Sequence, residues 1–157
     1  MSKYVIYISL PKYLSEWLTH SLGNPVAFPV GSPQNAVIRT FIKPLPEGET
    51  PDTGGAGMTA ICIPDSIAKP ADKYNHITKR GKEAVAETVK DLFLRALWTD
   101  INPLTEAPVG INKLIAAWCE AHGIDIDSTE AVRQCFYRIR KEYCKKGINL
   151  KSNTRKK

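Results

Sequence analysis

The chain has 157 residues, 43% of them hydrophobic and 24% charged, with a formal net charge of +6. That length accommodates one domain or a small pair with a buried core, and the composition excludes collagen-like, mucin-like and wholly disordered chains. No apolar run approaches the length of a membrane span, and the opening MSKYVIYISLPKYL places one lysine ahead of a run that reads as a strand, so neither a membrane anchor nor a signal peptide is expected and the protein is assigned to the cytoplasm.

Tyr4 to Leu10 (YVIYISL) is β-branched, aromatic and aliphatic and is followed by Pro11, which predicts a strand ending there. Lys12 to Leu22 carries Leu14, Trp17, Leu18 and Leu22 on one side of a short amphipathic helix that Gly23, Asn24 and Pro25 close. Val26 to Val30 reads as a strand, with Pro29 placing it at an edge. Gly31-Ser32-Pro33 reads as a turn into a second strand, Asn35 to Ile42 (NAVIRTFI), and the two runs are expected to pair as a hairpin. Lys43 to Gly57 is rich in proline, glycine and acids and reads as a flexible loop; its glycines lack the G-K-[ST] ending of a phosphate loop. Met58 to Ile63 reads as a strand that rejoins the N-terminal sheet, and Asp65 to Thr78 as irregular chain.

Three helices are expected after that. Lys82 to about Thr99 has a broad apolar face made by Val85, Val89, Leu92, Phe93, Ala96 and Leu97. Ile111 to His122 repeats Ile111, Leu114, Ile115, Trp118 and Cys119 at helical spacing and stops at Gly123. The last helix, 128–146, opens on Asp127, Ser128, Thr129 and Glu130, which suit a helix start, and closes on Lys145, Lys146 and Gly147. Its core stripe is Val132, Cys135, Phe136, Ile139 and Tyr143. The expected fold is therefore α+β: a small unit over 1–64 holding a mostly antiparallel sheet and one helix, a connector over 65–80, a three-helix unit over 81–147, and a disordered basic tail over 148–157.

Charge is distributed unevenly. From Arg133 onward ten basic residues face a single acid, Glu142, whereas the rest of the chain holds twelve basic residues against fifteen acids. A positive patch confined to one helix and its tail is the electrostatic footprint of a polyanion partner. Two helices joined by Gly123-Ile124-Asp125-Ile126-Asp127, the second one basic, resemble the helix-turn-helix DNA-binding modules found in small phage and mobile-element proteins, with a connector longer than the usual turn. The resemblance spans 110–147 and implies that the second helix lies in a major groove. The DNA-binding set is Arg133, Gln134, Tyr137, Arg138, Arg140, Lys141, Lys145 and Lys146. Arg133 and Gln134, near the helix start, have the donor and acceptor patterns to read guanine and adenine; Arg140, Lys145, Lys146 and tail residues such as Lys151 and Arg155 suit phosphates.

The four cysteines form no C-x-x-C pair and read as small apolar residues rather than disulfides or zinc ligands, and the three histidines are far apart, so no metal or cofactor is expected. The acids are strewn rather than clustered as a nuclease would need, and Cys144 beside Lys145 is a weak nucleophile signature, so no enzyme activity is expected. The expected function is nucleic-acid binding, duplex DNA above all, in a transcriptional regulator or DNA-associated protein for which a homodimer would be natural. The alternative is an interaction or structural adaptor whose N-terminal sheet binds a protein partner.

Overall fold

A computed structural model describes residues 4–106 and 109–145. The chain is α+β, and it divides into two compact units, Met1–Lys90 and Asp91–Lys157. Strand β1 (Val5–Ser9) and helix α1 (Lys12–Leu22) are followed by α2 (Pro33–Phe41), β2 (Ile42–Pro44), β3 (Met58–Cys62), β4 (Tyr74–Ile77), α3 (Lys79–Ile101), α4 (Ile111–Ala121) and α5 (Thr129–Lys145).

In the first unit β1 pairs antiparallel with β3, from Val5 opposite Cys62 to Ser9 opposite Met58. Ile6 and Ile8 are buried on one face of β1, Ile6 opposite buried Ile61 and Ile8 opposite buried Thr59. Helix α1 buries Leu14, Trp17 and Leu18, and its Ser15 hydroxyl meets the Thr59 hydroxyl of β3 at 2.7 Å. Gly23, at φ +88°, ends α1 in a conformation that side-chain-bearing residues avoid, and its N–H donates to the Thr19 carbonyl.

The segment 26–42 corrects the expected hairpin. Val26 makes a single parallel bridge to Ile61 and no strand continues from it; Pro29 has no N–H to offer a ladder. The run Asn35 to Ile42 is not a strand, since α2 covers Pro33–Phe41. The reason lies in Ser32-Pro33. The Ser32 hydroxyl accepts from the Asn35 N–H at 3.2 Å and Pro33 occupies the first turn, where its missing N–H costs nothing, so the dipeptide starts a helix rather than a turn between strands. The buried residues Gln34, Asn35 and Ile38 then fall on one helical side. Buried Asn35 donates its side-chain amide to the carbonyls of Phe28 and Pro29, both at 3.1 Å, and so satisfies the backbone that a hairpin partner would have served.

The unit therefore has two helices before α3 and two small sheets instead of one. The stretch 65–78, expected to be irregular, contains β4, which pairs antiparallel with β2: Ile42 opposite Ile77, Lys43 opposite His76 and Pro44 opposite Tyr74. At the start of α3, Gly81 packs so closely that an added Cβ would lie 2.6 Å from Ile77 Cγ1 and 2.9 Å from Phe41 Cβ. Within the loop before β3, Asp52 takes a 2.6 Å ion pair from Lys82 and also accepts from the Gly54 N–H. Those two bonds, the lysine's first, hold the Asp52 carboxyl below its ordinary range.

Candidate nucleic-acid interface

The second unit holds the last part of α3 with α4 and α5. Its buried side chains include Phe93, Leu97 and Ile101 from α3, Ile115, Trp118 and Cys119 from α4, and Val132, Cys135 and Phe136 from α5. Aromatic rings link the three helices: Phe93 meets Trp118 edge-on at 5.7 Å, and Trp98 stacks on Phe136 at 5.4 Å while presenting its edge geometry to Tyr143 at 5.1 Å. The indole N–H of Trp118 donates to Asp100 at 2.9 Å. Burial raises the Cys119 thiol to about 11, so it is a packing residue.

Between α4 and α5 the chain makes a 3-10 turn, Ile126–Ser128, with the Asp125 carboxylate accepting from the Asp127 N–H and Ser128 buried. The start of α5 is thus prepared one residue group earlier than Asp127 or Thr129 alone would do it. Glu130 lies in the first turn of α5, where the helix dipole favours an acid.

Of the residues expected to touch DNA, Gln134, Tyr137, Arg138, Lys141 and Lys145 are exposed, while Arg133 and Arg140 are half-buried; Lys146 and the tail lie outside the described residues. Gln134, Arg138, Lys141 and Lys145 follow one another at intervals of four, three and four residues, so they form one stripe along the side of α5 opposite Val132 and Phe136. Among the described residues, Arg138, Arg140, Lys141 and Lys145 enter no ion pair.

The upper end of the stripe is occupied differently. Glu130 pairs with the Arg133 guanidinium through one oxygen and accepts from the Gln134 amide at 2.8 Å through the other. The two residues expected from the sequence to read bases therefore share one carboxylate. Tyr137 donates its hydroxyl to Asn112 at 3.0 Å, and the two line an open groove of about 410 Å³ with Lys113 and the glycine that precedes α4. Asn112 and Lys113 are exposed additions to the site that periodicity does not mark, whereas Glu130 is legible as the i−3 and i−4 neighbour of Arg133 and Gln134.

Among the described residues, no three His, Cys, Asp or Glu side chains gather as a metal site, and no helix is long and apolar enough to cross a membrane. No protein-family model, curated protein or solved structure matches the chain.

Proposed function

We propose that the second unit binds nucleic acid, duplex DNA in the first place, through the exposed side of α5. The observation that carries this reading is the stripe Gln134–Arg138–Lys141–Lys145, whose cations are exposed and have no carboxylate partner among the described residues. An unneutralised cationic row on a helix anchored by its opposite face fits the phosphate-lined walls of a major groove. Arg138, Lys141 and Lys145 contact phosphates in this reading, with Arg140 at the flank. Arg133 and Gln134 reach base edges only by exchanging their bonds with Glu130, and Tyr137 and Asn112 brace the adjoining backbone. A role in transcriptional regulation, or in handling the DNA of a phage or mobile element, follows as part of the same proposal.

The test is fluorescence anisotropy with a labelled random-sequence duplex and the triple variant R138A/K141A/K145A. Replacing three exposed helix residues leaves the melting temperature nearly unchanged. Binding is expected to weaken sharply and its salt slope to shrink by about 0.9 for each cation that meets a phosphate. A variant that binds as the wild type does, with the same slope, removes α5 as the interface.

A further inference from the structure

The first unit contains an amphipathic cleft of about 490 Å³ between the segment that follows the Val26 bridge and the chain leaving β3, with α2 along one side. That volume lies in the range of small-molecule sites. Its walls are largely apolar, from Pro29, Val30, Ile63 and Pro64, and Val30 at the rim is 102% exposed. Asn35, also in the lining, has its amide donors committed to the carbonyls of Phe28 and Pro29 and so has none to spend on a polar ligand tail.

Two opposite charges face this cleft. Arg39 projects from α2, half-buried, and Asp65 stands, exposed, on the irregular segment after β3. No ion pair joins them, and among the described residues neither has another ionic partner. Asp65 is held in place by accepting from the Ala71 N–H through Oδ1 at 2.9 Å, which leaves its second oxygen for another donor. The neighbouring cation, Lys69, is committed elsewhere, donating to the Arg39 carbonyl at 2.6 Å. A guanidinium and a carboxylate that line one apolar hollow from different elements without pairing complement a ligand with a carboxylate, an ammonium and an apolar body.

We propose that this cleft binds a free α-amino acid with an apolar side chain, its carboxylate on Arg39, its ammonium on Asp65 and its side chain against Pro29, Val30 and Pro64. The site belongs to the first unit and is independent of the proposal for α5.

Isothermal titration of the full chain with leucine, isoleucine, methionine and phenylalanine tests it, using two truncated analogues of leucine as controls. 4-Methylpentanoate lacks the ammonium and leucinamide lacks the carboxylate. Each analogue is expected to bind at least about tenfold more weakly than leucine, since each loses a charged hydrogen bond. In Arg39→Met, leucine is expected to lose its advantage over leucinamide; in Asp65→Asn, its advantage over 4-methylpentanoate. No heat or thermal stabilisation with any of the four amino acids up to roughly 10 mM overturns the proposal. So do analogues that bind the wild type as well as leucine does, a comparison that stands even if a variant fails to fold.

Discussion

Glu130→Ala separates what Glu130 does for the helix from what, on the proposed reading, it withholds from a polyanion. In the folded chain the carboxylate holds both Arg133 and Gln134, and the side chains of the ion pair are 35% exposed for Arg133 and 55% for Glu130. A pair that open to water contributes only ~0.2–1 kcal/mol. Loss of an acid from the first turn of α5 removes a further ~0.3–1 kcal/mol of dipole stabilisation. The melting temperature is therefore expected to fall by only a few degrees, at roughly 2–4 °C per kcal/mol for a chain of this size. On the proposed reading DNA binding should move the other way, because the substitution deletes the carboxylate that Arg133 and Gln134 share at the upper end of the stripe and frees a guanidinium. One additional phosphate contact steepens the plot of log affinity against log salt by about 0.9, so lowering salt roughly fourfold should strengthen the variant's binding about 3.5-fold more than the wild type's. Anisotropy titrations of both proteins at four salt concentrations measure this. An unchanged or shallower slope in the variant would refute the reasoning, since it would mean that the first turn of α5 does not approach the phosphates.

Other substitutions address the packing around the two units. Gly81→Ala places a methyl 2.6 Å from Ile77 Cγ1, and overpacking of this kind should cost about 1–3 kcal/mol in chemical denaturation. The lowered carboxyl of Asp52 stabilises the fold above the ordinary value of 3.8, and that contribution is lost as pH falls through the folded-state value below it; Lys82→Met should flatten this acid dependence in thermal melts between neutral pH and pH about 3. Of the four cysteines, Cys62, Cys119 and Cys135 are buried and Cys144 is exposed, so a thiol reagent should modify Cys144 rapidly in the native protein and the other three only after denaturation. Rapid native modification of Cys119, whose thiol is raised to about 11, would contradict the packing of α4.

The elements most legible in the sequence are those whose apolar spacing runs over several turns or strand repeats between clear stops. Helix α1 lies where Leu14, Trp17 and Leu18 place it between Pro11 and Gly23, and β1, β3, α4 and α5 follow the same logic. Helix α2 is not legible from periodicity because NAVIRTFI satisfies both alternation and helical spacing; only the capping chemistry of Ser32 and Pro33 separates the two, and the same residues suit a turn. Strands β2 and β4 span three and four residues with little burial, too short for any period to register. At the candidate site, the exposed stripe on α5 was legible as the complement of its core stripe. The local hold of Glu130 on Arg133 and Gln134 follows from helical spacing, but the bond from Tyr137 to Asn112, 25 residues away, depends on how α4 packs against α5 and has no local signature.

The most direct measurement is the affinity of the wild-type chain for a random-sequence DNA duplex as a function of salt, with single-stranded DNA and RNA of equal length alongside. Engagement of the three exposed cations Arg138, Lys141 and Lys145 requires a slope of at least about −2.7 on the duplex, with the duplex bound more tightly than either single strand. A slope near zero, no binding at roughly 50 mM salt, or a preference for the single strands would contradict the assignment of α5 to the major groove.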